Sequence, residues 1–243
     1  MDALILRLDA PLMSFGGVVV DHHNVTDRFP GLSLFAGLLA NALGWSHGDG
    51  ETIGALQDRL IVASRWDIEP VAIDDYHTVD LGQPKMAEPG WTTRGAPEHR
   101  AGGEAKKGTH IRYRHYWANG VLTAVLALTD DTDPDLTTLE AALTRPVRPL
   151  FIGRKTCLPN SPILAGRTSG VDVLAILKAL PRVRCASRRT RSEKMAARWP
   201  AEIGDNREDQ LRAVYDQRDW KNQWHSGRRI VAEGLIEELP GCS

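Results

Sequence analysis

From Leu81 to Thr109 the chain reads LGQPKMAEPGWTTRGAPEHRAGGEAKKGT, a stretch of Gly, Pro and charge with no apolar periodicity. A connection that long without structure of its own is functional or partly disordered. The core must therefore come from the two flanks, and both carry short apolar runs bounded by turn formers. Leu4 to Leu8 reads as a buried first strand, Arg59 to Trp66 and Pro70 to Val79 as two more, and Arg229 to Glu237 as a late one. Arg112 to Trp117 and Val121 to Thr129 predict two strands of a hairpin around Asn119-Gly120. Val18 to Val20 adds a brief extended piece. Helices are predicted over Leu34 to Leu43, capped by Ser33 and ended by Gly44, and from Asp133-Pro134 to Leu143 with Asp133 as cap. Two more are predicted over Val171 to Leu180 and Ser192 to Arg198. The fold class is α+β.

With 243 residues, 42% hydrophobic and 25% charged, the chain has room for a self-sufficient core. Asp2 and Arg7 interrupt any export signal, and Leu32 to Leu43 is too short for a membrane span, so a cytoplasmic protein without a membrane partner is expected. Cys157, Cys185 and Cys242 lack CxxC spacing, and the eight histidines form no HxxxH or HExxH pattern, so no metal or other cofactor is expected.

Net charge is -1 but segregated. Between Arg145 and Arg198 stand thirteen cations against two acids, an excess of about eleven that would concentrate a polyanion. Within it, Gly153-Arg154-Lys155-Thr156 echoes the end of a phosphate-binding P-loop. Arg154 separates the glycine from the lysine, however, and Pro159 and Pro162 forbid the helix that must follow. Cys157 reads as a small packed side chain before a nucleophile. A loop receiving phosphates through Arg154, Lys155 and backbone amides, and a merely solvated basic face, fit the composition equally. Tyr76-His77, with Lys106, Lys107 and His110, has the side chains for metal-free RNA cleavage, although Tyr and His equally often just pack in strands.

Five collinear pieces resemble one family. They are Leu4 to Gly16, Arg28-Phe29-Pro30 with the helix to Gly44, Asp75-Tyr76-His77-Thr78-Val79, Arg114-His115-Tyr116, and Pro149 to Cys157. Together they resemble the CasD family of the RAMP superfamily, subunits of the type I-E CRISPR Cascade complex. That resemblance implies a ferredoxin-like β-α-β-β-α-β core over residues 1–164 with a thumb at about 81–109, and a smaller basic C-terminal region over 165–243. It also implies a non-catalytic subunit that binds the 5' handle of the CRISPR RNA in antiviral defence and caps the backbone beside the CasC backbone subunit and the CasA large subunit. Target DNA would be met only indirectly, through the complex. The residues expected to bind RNA are Arg28, Ser33, His77, Lys106, Lys107, Arg112, Arg114, Tyr116, Gly153, Arg154 and Lys155. Gly31-Leu32 stand where the family has a small polar residue and a cation, so Ser33 and nearby backbone amides would have to serve. The rival reading is a metal-independent endoribonuclease of precursor CRISPR RNA, as in type I-C relatives, and a third is a scaffold for acidic proteins.

Overall fold

The computed structural model describes residues 1–17, 23–80, 90–91, 97–98, 109–184 and 193–237. Strands β1 (Asp2–Asp9), β2 (Leu12–Met13) and β3 (His23–Asn24) are followed by helices α1 (Leu32–Leu43) and α2 (Gly50–Arg59). Next come β4 (Leu60–Ile68), β5 (Val71–Asp80), the short pair β6 (Gly90–Trp91) and β7 (Pro97–Glu98), β8 (Thr109–Ala118) and β9 (Val121–Leu128). Helix α3 (Leu136–Thr144), β10 (Leu164–Ser169), α4 (Val173–Ala179), β11 (Met195–Pro200), β12 (Leu211–Val214), β13 (Gln217–Asp219), β14 (Trp224–Ser226) and β15 (Arg229–Ile236) complete the order. The architecture is α+β with a mostly sheet core. The expected thumb and the extended piece at Val18 to Val20 lie largely or wholly outside the described residues.

Seven strands form one sheet in the order β10-β1-β9-β4-β11-β15-β12. Strand β9 explains why the sheet has two covered faces. Leu122, Ala124 and Leu126 join the cluster with α1 and α3, while Val125 and Ala127 join the cluster with α4, β11 and β15. Because successive side chains of a strand point to opposite faces, a centre strand buried on both must be apolar throughout, as VLTAVLAL nearly is.

Four expectations are corrected. The turn at Asn119-Gly120 joins β8 to β9, but β8 pairs with β5 while β9 pairs with β1 and β4, so no hairpin forms. A Cβ at Gly120 would come within 2.7 Å of the Trp66 ring, so the glycine lets the chain cross between sheets over that ring. Ser33 lies inside α1, whose N-cap is Gly31, and Asp135 rather than Asp133 caps α3 by accepting from the Thr138 amide at 2.7 Å. Residues 195–200 are strand β11, buried between β4 and β15, where tertiary pairing overrides the helix propensity of Met-Ala-Ala-Arg. Helix α2 was not anticipated, because its glycines at 50 and 54 mask the periodicity.

The loop after β9 is held by Asp130, which accepts from the Thr132 hydroxyl at 2.6 Å and amide at 3.1 Å and pairs with Arg59 at 2.8 Å. These contacts, the hydroxyl first, hold its carboxyl down to about 2, from 3.8. A depressed folded-state pKa stabilises above the unfolded value and is lost as pH falls through the folded one, here between about 4 and 2. Asp130→Ala should therefore lower the urea midpoint near neutral pH and flatten its fall across that window. Parallel midpoint-versus-pH curves for variant and wild type would refute this.

Candidate nucleic-acid interface

The interface is built where the second sheet meets the loop after α3. β8 pairs along its length with β5, placing His77 opposite Arg112 and Asp75 opposite Arg114. Alternate residues of a strand share a face, so Arg112, Arg114 and Tyr116 line one side of this ribbon with His77 and Asp75. The His77 imidazole contacts the Asp75 carboxylate on that side. The other side carries Tyr113, stacked on His23 at 5.0 Å, with Tyr76 at 5.4 Å and the His115–Asp74 pair at 2.6 Å.

The loop from Pro149 to Ile163 docks against the base of the ribbon. Gly153 has φ +89° and sits so close to Ser14 that a Cβ would lie 1.5 Å from the Ser14 carbonyl oxygen. The Ser14 amide donates to Ile152 at 3.2 Å, the Ile152 amide to Cys157 at 2.8 Å and the Cys157 amide to Arg154 at 2.8 Å. Arg154 donates to the carbonyls of His115 at 3.1 Å and Asn24 at 3.0 Å, its guanidinium 4.5 Å from the centre of the buried Tyr116 ring. Arg154 is therefore a staple between loop and ribbon, and Tyr116 is its seat rather than a surface open to a base. Lys155, its neighbour, is exposed and makes no hydrogen bond or ion pair with any described residue. Strand β10 follows the loop where a P-loop would launch a helix. Cys157 is fully buried, and burial pushes its thiol up, which fits packing and not nucleophilic attack.

Beside Lys155 opens a groove of about 860 Å³ between α1, this loop and the segment from Tyr215 to His225. Its walls include Trp45, Phe151, Tyr215 and Trp220, and its cations include Arg148 and Arg218. No motif pointed to Trp45 or Tyr215, and Arg148 stood out only as one cation of the basic segment, because the groove closes only when the late segment returns across the helices. Glycines permit that return. A Cβ on Gly31 would lie 2.4 Å from the Asp216 Cβ, one on Gly37 3.1 Å from the Trp220 ring, and one on Gly50 3.0 Å from the Trp220 backbone. Gln57 secures the crossing, accepting from the Arg218 amide and the Trp220 indole, each at 3.1 Å.

The N-terminus of α1 is already occupied by that segment. Asp216, paired with Arg229 at 2.5 Å, accepts from the Leu32 amide at 3.3 Å through its carboxylate and from the Ser33 amide at 2.9 Å through its carbonyl. Ser33 lines the groove, but the amides expected to meet a phosphate there serve Asp216 instead. Arg28 stands apart from the groove lining, exposed and 3.5 Å from Glu69. Lys106 and Lys107 lie outside the described residues. Many cations of the basic segment are spent internally: Arg167 on Asp2 and Glu140, Arg182 on the Asp67 carbonyl, and Arg198 on Glu233.

A family model described as CRISPR-associated protein (Cas_Cas5) matches residues 3–232. The chain belongs to the Cas5 family. It is 28% identical over 177 residues to the CRISPR system Cascade subunit CasD of Escherichia coli (strain K12), covering 70% of this chain and 72% of that protein. A chain of a solved CRISPR RNA-guided surveillance complex shares its fold with a TM-score of 0.70 at 23% identity, over 97% of this chain and 90% of that one. A second solved structure, of a Cas protein, gives 0.65 at 23% identity, over 97% and 95%. Among the described residues no helix is long and apolar enough to cross a membrane, and no group of three His, Cys, Asp or Glu is placed to hold a metal.

Proposed function

We propose that this Cas5-family chain is the CasD-type subunit of a type I-E Cascade, binding the 5' handle of the CRISPR RNA and capping the backbone next to CasC and CasA. The observation that carries it is the docking, through Arg154, of the loop that bears Lys155, exposed and without a partner among the described residues, onto the ribbon that carries Arg112 and Arg114 on one face. Strand β1, helix α1 and the strands β4 and β9 supply a ferredoxin-like core, residues 81–109 the thumb, and residues 165–243 a C-terminal region that closes the groove. Sequence would be read by the guide, so this subunit meets the target DNA only through the complex. The role is binding, and the relative named as a Cascade subunit supports it.

The test is co-purification from cells carrying the cognate CRISPR array. Small RNase-sensitive RNA of uniform 5' sequence should be retained, and Lys155→Glu should cut retention roughly tenfold, the scale of a lost charge-assisted hydrogen bond. Arg207→Glu is the control, since Arg207 pairs with Asp209 away from the groove and should change little. Equal retention by both variants would remove Lys155 from the site. Metal-free cleavage of repeat RNA that disappears in His77→Ala would replace the binding role with the endoribonuclease one.

A further inference from the structure

Strand β5 has an edge that the phosphate path does not explain. Among the described residues it pairs only with β8, so along its outer side every second residue holds an N–H and a C=O that no described strand takes up. The strand is bare on both faces as well. Val71 is 61% exposed, Ile73 40% and Tyr76 54%, and Ala72, Asp74 and Thr78 are exposed too. The edges of the seven-stranded sheet are shorter or guarded: β12 has four residues, and β10 has six, with Arg167 tied to Asp2 and Glu140. Natural proteins blunt an edge as long and apolar as that of β5 unless a further strand is added to it.

Three occupants come into question: RNA, a second copy of this chain, or an extended segment of another protein. The edge is acidic. No Lys or Arg stands in residues 66–84, whereas Glu69, Asp74 and Asp75 keep about half or more of their side chains at the surface beside Arg28, His115 and His77. The cations Arg112 and Arg114 lie one strand further in, on β8, so the ribbon is polarised across its width. Phosphates are drawn to β8 and repelled at the β5 edge, and a nucleic acid has no peptide ladder to offer. A second copy would set acid against acid across the seam. A protein strand with cations on one face answers both the ladder and the charge. We propose that β5 is a docking edge for an extended basic segment of a protein partner, with apolar side chains beside Val71 and Ile73 on one face and Lys or Arg beside Asp74 on the other.

Labelled peptides of alternating Val-Lys and of alternating Val-Glu, each about nine residues long to match a long strand, test this on the full chain without RNA. In fluorescence anisotropy Val-Lys should bind roughly fivefold more tightly, the scale of one cross-strand pair changed from opposite to like charge. It should also slow amide hydrogen exchange in residues 71–78, which attraction to a charged surface alone would not do. Asp74→Lys should reverse the preference, and Ile73→Lys, on the opposite face, should weaken both peptides. Equal binding of the two peptides, binding of neither, or binding without slowed exchange in that stretch overturns the docking edge and leaves the RNA reading standing. Oligo(U) RNA slowing the same amides transfers the edge to nucleic acid, and concentration-dependent dimerisation lost in Ile73→Lys transfers it to a second copy; either result overturns the proposal. Should Asp74→Lys not fold, having lost its contact with His115, the wild-type comparison and Ile73→Lys still decide the matter.

Discussion

Gly153→Ala is expected to cost about 3 kcal/mol or more in stability and to reduce RNA retention below that of Lys155→Glu. Two independent effects act at this position. The backbone conformation, at φ +89°, is one that side-chain-bearing residues rarely adopt, and the new methyl would lie 1.5 Å from the Ser14 carbonyl oxygen. That oxygen belongs to main chain held by the Ser14 amide's bond to Ile152, so no flexible side chain can yield. The loop must leave its seat, taking the Arg154 staple and Lys155 with it. Gly54→Ala is the matched control, because nothing lies within 4 Å of its Cβ position in helix α2, where alanine is favoured. Urea unfolding and RNA retention, measured together, should separate the two glycines. A Gly153→Ala chain matching wild type in both would show that the loop is not seated as described.

Much of the fold was legible because its cues are local. Strand β1, the end of α1 at Gly44 and the strand β15 follow from apolar runs and a glycine stop, and Asp172 caps α4 at 2.7 Å to the Ala175 amide close to where a helix was expected. What failed was set by partners distant in sequence. Residues 195–200 become a strand only because β4 and β15 stand on either side, and β8 parts from β9 because β5 claims it. The site divides in the same way. The family resemblance picked out Arg112 and Arg114, and the basic loop Arg154 and Lys155, yet neither could say which of the two neighbouring loop cations faces solvent. That was decided by the Asn24 and His115 carbonyls, which engage Arg154. The groove was illegible because its third wall arrives from the segment around Trp220 and is received by glycines on α1 and α2, whose meaning depends on what they meet.

Arg65→Ala should cost about 3–5 kcal/mol, among the largest losses open to a single substitution here. Arg65 and Asp67 are both fully buried, two residues apart on β4 and hence on one face, with Nε donating to the carboxylate at 2.7 Å. The guanidinium also donates to the carbonyls of Leu177 at 2.5 Å, Leu180 at 2.9 Å and Pro181 at 3.0 Å. It thereby satisfies carbonyls at the C-terminal end of α4, which a helix leaves unpaired and where a cation is favoured. Asp67 accepts in turn from the Thr123 hydroxyl at 2.7 Å and the Val183 amide at 3.2 Å. Each ion stays buried only because the other is present, so removing Arg65 strands a carboxylate in the apolar layer and frees the carbonyls of α4 together. Asp67→Ala alone should also be severe, but the double variant should lose less than the sum, since neither charge is then left unpaired. Additive losses in urea unfolding would mean that the two side chains act independently, and a loss below about 1 kcal/mol for Arg65→Ala would mean that water reaches the pair.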